Sequence, residues 1–191
     1  MSALSSAKFL SALALTIFVK VWITTVGTRP FAVINPIWLA CRKGEFVPER
    51  VYLIWNEGVE REKEVVEKAV RLILESYGVR NPEIIAGDET KVREDDFSGL
   101  RDLLYKIKGL EQGNEVAVDM TPGRKFMSAL LMGVGFNKEG PVEKVYYLHL
   151  LDERRYQNRP LLLIPAKIQR LYEMRRELRG AAEKERAPGP D

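Results

Sequence analysis

EVAVDMTPGRKFMSA, residues Glu115 to Ala129, reads as a strand that turns straight into a helix. The apolar run EVAVDM ends the strand, and a helix is expected over Arg124 to Phe136. Thr121 suits the N-cap, and Pro122 suits the first helical position, where its missing amide has no partner to lose. Gly123 lets the backbone approach a ligand closely. Arg124 and Lys125 then place two cations in a first turn whose own partial positive charge favours Asp or Glu. As plain surface cations they cost the helix about 0.3–1 kcal/mol each. Beside a bound phosphate they reinforce the outward-facing amides of the helix start.

Outward from this stretch, short apolar runs alternate with amphipathic segments. VKVWITTV, Val19 to Val26, is rich in β-branched residues and predicts a first strand. Asn35-Pro36 offers a cap and a first-turn proline for a short helix through Trp38 and Cys41. RVYLIW, Arg50 to Trp55, has the continuous apolar character of a strand buried on both faces. From Glu60 to Tyr77, the spacing of Val66, Ala69, Val70 and Ile73 marks a helix that Gly78 closes. EIIA, after Pro82, is a brief third strand. Asp95 or Asp96 caps a helix whose Phe97, Leu100, Leu104 and Ile107 share one face. KVYYLHLL is a fifth strand, LLLIP at Leu161 to Pro165 a sixth, and a charged helix begins near Ala166.

This alternation predicts an α/β fold: a Rossmann-like, mostly parallel six-stranded sheet with helices on both faces and a C-terminal helix. The expected organisation is an extension over residues 1–18, one domain over 19–165, and a helix with a disordered tail over 166–191.

Composition narrows the function. The chain has 191 residues, a net charge of +3, one cysteine (Cys41) and one histidine (His149). That charge is far milder than a dedicated duplex-DNA binder shows, so local basic clusters must carry any phosphate recognition. Internal disulfides and Cys/His zinc sites are excluded by count, and no metal or cofactor is expected. His149 sits in an apolar, aromatic run and reads as an ordinary strand residue. The abundance of Glu, Lys and Arg is that of a thermophile's protein. The apolar run Phe9 to Val19 is shorter than the about 20 residues that a bilayer span needs, and no small-residue cleavage site follows it. It is expected to be a terminal extension of a cytoplasmic protein.

Two loops carry the functional reading. In a sheet of Rossmann order the first and fourth strands are neighbours, and ligands sit outside their carboxyl ends. The loop after the first strand is VGTRPF, with Gly27, Thr28 and Arg29; the loop after the fourth is DMTPGRK. Both join a flexible residue, a hydroxyl and a cation. Neither the GxGxxG fingerprint nor the GxxxxGK(S/T) phosphate loop is present, which argues against an NAD enzyme or an ATPase.

These residues resemble the CARF domain, the CRISPR-associated Rossmann fold, over roughly Lys20 to Pro165. The similar features are a hydrophobic strand followed by VGTRP, a strand followed by WNEG (Trp55 to Gly58), and a strand followed by DMTPGRKFMS. Where the family usually has TGGTK, this chain has TPGRK, and Arg29 stands where the family usually has serine. The resemblance implies a homodimer that binds cyclic oligoadenylate, a messenger of type III CRISPR antiviral defence, in paired crevices. By motif position, Gly27, Thr28, Arg29, Thr121, Pro122, Gly123, Arg124 and Lys125 would meet the ligand, with Asn56 and Glu57 toward its adenosines.

No attached effector is recognisable. A HEPN ribonuclease needs an arginine shortly before a histidine, and the sole histidine lies in the fifth strand. A stand-alone CARF domain resembles the ring nucleases, in which a ribose 2′-hydroxyl attacks its neighbouring phosphate. Positioning and charge stabilisation can drive that step without metal. Lys125 and Arg29 are the expected catalytic residues, for a metal-independent ring nuclease acting on cyclic tetra-adenylate. Two other assignments stay open: a non-catalytic sensor relaying through the C-terminal helix, and a membrane-anchored effector.

Overall fold

The computed structural model describes residues 18–137 and 140–186. The extension, apart from Phe18, and residues 187–191 of the expected tail lie outside the described residues.

The strands are β1 (Lys20–Thr25), β2 (Arg50–Ile54), β3 (Glu83–Ile85), β4 (Glu115–Asp119), β5 (Val142–Leu150) and β6 (Gln169–Glu173). They form one sheet in the order β3-β2-β1-β4-β5-β6, parallel except for the antiparallel β5–β6 pair. The α-helices are α1 (Pro30–Arg42), α2 (Glu60–Ser76), α3 (Phe97–Leu110), α4 (Lys125–Phe136), the single turn α5 (Glu153–Tyr156) and α6 (Met174–Arg186).

Strand alternation explains the layering. On β1, Trp22 joins the core under α1 and α2, with Ile37, Val66, Val70 and Tyr146. Its neighbours Val21 and Ile23 face the other core, with Leu100 and Leu104 of α3 and Leu131 of α4. Helices thus cover both faces, as the near-continuous apolar strands require. Trp22 stacks on Tyr146 at 5.0 Å between ring centroids, an arrangement worth about 0.5–1.5 kcal/mol beyond its burial. At the amino ends of the strands, the buried Glu111 carboxylate accepts from Tyr52 Oη at 2.5 Å, from Arg50 and from Asn114. That end of the sheet is tied shut.

Four local expectations are corrected. LLLIP is no strand: Pro160 and Pro165 bracket a 3₁₀ turn over Leu161–Leu163, in which Leu161 is buried and Leu162 and Leu163 are exposed. The sixth strand is Gln169–Glu173, so the last helix starts at Met174 instead of near Ala166. Asn35-Pro36 does not open a helix. Pro30 is the first-turn proline of α1, and Pro36 lies inside it. Likewise Thr121 is not the N-cap of α4, nor Pro122 its first residue; Arg124 holds the N-cap position.

No helix among the described residues is long and apolar enough to cross a membrane.

Candidate functional site

β1 and β4 are adjacent, so the loops after them open side by side at the point where the strand order reverses. The chain leaves β1 through Gly27, Thr28 and Arg29 and enters α1. It leaves β4 through Thr121, Pro122 and Gly123 and enters α4. The crevice between them has a volume of about 580 Å³.

The second loop is held by buried polar groups. Asp119 is fully buried at the end of β4. Its Oδ2 accepts from Thr24 Oγ1 at 3.2 Å and its Oδ1 from the Thr121 amide at 2.9 Å. Thr121 Oγ1 accepts from the Leu148 amide at 2.8 Å, which ties the loop to β5. Thr25 Oγ1 donates to the Pro122 carbonyl at 3.1 Å, which ties it to β1. Thr121 thus serves as a strand tie, the reason it is unavailable as a cap. Loss of hydration pushes the Asp119 carboxyl up to about 7, against the hydrogen bonds from Thr121 and Thr24 that favour its anion.

Gly123 has φ +91°, and a Cβ there would meet Thr25 Oγ1 at 2.5 Å. Only glycine fits this turn. It throws Arg124 into extended backbone at the N-cap of α4. Arg29 stands in the same place on α1, also extended. Neither helix has an acidic residue in its first turn, and among the described residues no side chain caps either start. Two uncapped helix N-termini, each bearing an arginine at the N-cap, therefore flank one crevice. Such an end attracts anions through its free amides and its dipole.

Both arginines are paired across the rim. Arg29 Nη1 lies 2.9 Å from Glu153 of α5, and Arg124 Nε donates to Glu94 at 2.7 Å. These side chains are about half exposed, so each pair is worth no more than about 1 kcal/mol and an incoming phosphate can displace it.

Of the residues singled out in the sequence, Gly27, Thr28, Arg29, Asn56, Thr121, Pro122, Gly123 and Arg124 all line this crevice. Glu57 and Lys125 do not. Glu57 pairs with Lys91 at 2.8 Å, and Lys125 is the exposed first residue of α4. Among the residues that line it and that sequence reading passed over are Asn35, Glu94, His149 and Glu153. His149 was read as an ordinary strand residue; its place near the carboxyl end of β5 puts it on the crevice wall. No group of three His, Cys, Asp or Glu side chains able to hold a metal ion comes together among the described residues.

No family model matches the sequence, and no curated protein matches it at a significant level. Among solved structures, the chain is similar to Enterococcus italicus Csm6 bound to cyclic hexa-2′-fluoro-hexa-dAMP, with a TM-score of 0.54 and 15% sequence identity. The match covers 84% of this chain and 44% of that one, so this chain spans less than half of its neighbour's length. At that identity the likeness establishes the fold alone, a Rossmann-like α/β arrangement.

Proposed function

We propose that this chain binds a cyclic oligoadenylate, with cyclic tetra-adenylate the ring assigned, across the crevices of two copies, and opens that ring to end a type III CRISPR signal. The observation that carries the reading is the convergence of two arginine-bearing helix N-termini on one crevice at the switch point. Phosphodiesters are the ligands such paired ends suit. The ligand seen with the Csm6 neighbour supports an adenylate ring in particular.

Size supports two copies. A cleft of about 580 Å³ falls within the roughly 300–1,000 Å³ typical of pockets for drug-sized ligands, which suits part of the ring and not all of it. A two-fold pair offers the same loops to both halves of a symmetric ligand. The face we assign to that pairing is α4, which starts at the crevice. From Phe126 to Phe136 it carries no charged residue, and its Ala129 and Gly133 are exposed.

The ring opens when a ribose 2′-oxygen bonds to the adjacent phosphorus and the P–O5′ bond breaks. The products are a 2′,3′-cyclic phosphate and a 5′-hydroxyl; the 2′ proton leaves to a base or solvent, and the 5′-oxygen gains one. Arg29 and Arg124 stabilise the charge on the phosphate. Lys125, one residue beyond Arg124, is assigned to protonating the leaving oxygen.

One observation favours a second reading, a sensor that holds the ring uncut: Lys125 does not line the crevice. Incubating the protein with cyclic tetra-adenylate labelled in its ring phosphates, in the presence of a chelator, separates the two. Linear product lost in K125A identifies the nuclease with a catalytic lysine, and a stable uncut complex identifies the sensor.

A further inference from the structure

We propose that Asn35 reads the base: its side-chain carbonyl oxygen accepts the exocyclic amino group of adenine in a subsite along α1. This rests on the reading of the crevice as a cyclic adenylate site and names how that site selects its base.

Asn35 is only 1% exposed, in the second turn of α1. Its Nδ2 donates to the Arg159 carbonyl at 2.9 Å. A backbone carbonyl can only accept, so this bond settles which end of the amide is which. The remaining atom, Oδ1, is buried without a hydrogen-bond donor among the described residues. Buried acceptors are rarely left so. The Arg159 carbonyl accounts for the Nδ2 end of the amide, and the unpartnered carbonyl oxygen points to a donor that arrives with a ligand.

Position supports this. Asn35 lines the same crevice as Arg29, the N-cap of its helix. Six residues along a helix advance about 9 Å, roughly the reach of a nucleotide from its phosphate to the far edge of its base. Half-buried Phe31 and Ala32, on the preceding turn, and Leu150 of β5 also line the crevice and offer a flat base apolar contact. The crevice therefore combines the cations Arg29 and Arg124 with apolar lining and one buried acceptor, Asn35 Oδ1, that has no donor among the described residues. Adenine carries an amino donor on its outer edge. Guanine and hypoxanthine carry a keto oxygen at that place, which would set acceptor against acceptor.

The test compares cyclic tetra-adenylate with cyclic tetra-inosinate, which differ at the base edge alone, by the amino-to-keto change at C6 and the hydrogen that N1 gains with it, by equilibrium titration. The wild-type protein is expected to prefer the adenylate ring by at least about 10-fold. N35L is expected to weaken adenylate binding by about that factor and to leave inosinate binding unchanged, so that the preference collapses; N35A gives the same readout should N35L fold poorly. If either folded variant weakens both rings equally, Asn35 is a structural residue and the proposal falls. If the wild-type protein binds both rings equally, the base assignment falls while the ring-binding reading stands. If it binds neither, both fall together.

Discussion

A Cβ placed on Gly27 would lie 3.6 Å from the backbone nitrogen of Gly123. The loop after β1 and the loop after β4, far apart in sequence, thus touch through their glycines beneath the crevice. These two glycines differ in what they tolerate. Gly123 combines φ +91° with a blocked Cβ position, 2.5 Å from Thr25 Oγ1, whereas a methyl on Gly27 makes only ordinary contact. G123A should destabilise the protein by about 1–3 kcal/mol in urea unfolding and abolish ring binding. G27A should unfold within about 0.5 kcal/mol of wild type. Equal losses in the two variants would refute this division.

The arginine pairs predict opposite effects from neighbouring substitutions. R29A and R124A should each weaken ring binding on the order of 10-fold, since each removes a charge-assisted contact to phosphate. E153Q and E94Q should strengthen it by a few-fold, because each frees an arginine now held at the rim. All four should keep the wild-type unfolding midpoint within a few degrees. Binding should also weaken as salt rises, less steeply in the arginine variants. Tighter binding by R29A or R124A would contradict the assignment.

Asp119 makes stability depend on pH. Its carboxyl titrates at about 7 in the folded protein and near 3.9 when unfolded, because burial disfavours the anion. Between these values the folded state holds the extra proton, so stability falls as pH rises from about 4 to about 7, by at most about 1.4 kcal/mol per pH unit, and levels off above. D119N should remove this component. The difference between wild-type and D119N unfolding free energies, measured from pH 4.5 to 8.5, should change across the window; a flat difference would refute it. A phosphate bound above Asp119 favours its neutral form further, so ring affinity should fall as pH rises through about 7, with H149A as the control for the imidazole in the same crevice.

Much of this site was legible in the sequence, and the parts that were not have physical reasons. Apolar runs of Val, Ile and Leu mark the parallel strands, and the Gly-Thr-Arg and Thr-Pro-Gly-Arg turns show where chemistry gathers. Strand order does not follow from such runs; it is the adjacency of β1 and β4 that brings the turns together. LLLIP is apolar enough for a strand, yet its flanking prolines take two amides from any ladder, and the half-polar QRLYE pairs with β5 instead. Asn35-Pro36 looks like a helix start only because Pro30, the real first-turn proline, is read as part of the loop before it. His149 and Asn35 each sit in an apolar run, and only the packing of α1 against β5 shows that both face the crevice.

The apolar face of α4 predicts the assembly. Sedimentation of the 191-residue chain should give a dimer, tighter with the ring present. A129R, which puts a charge on the exposed side of α4, should give monomers with an unchanged unfolding midpoint and at least about 10-fold weaker ring binding. A chain that stays monomeric with saturating ring would contradict pairing across one ligand.

The most direct test is equilibrium titration of labelled cyclic tetra-adenylate, in chelator, onto the wild-type chain and the R29A/R124A double variant. Saturable binding by the wild type, weakened by about 100-fold in a double variant that still folds, is the predicted result. Equal affinity in the two proteins, or no binding by the wild type, would show that these helix ends do not hold the ring.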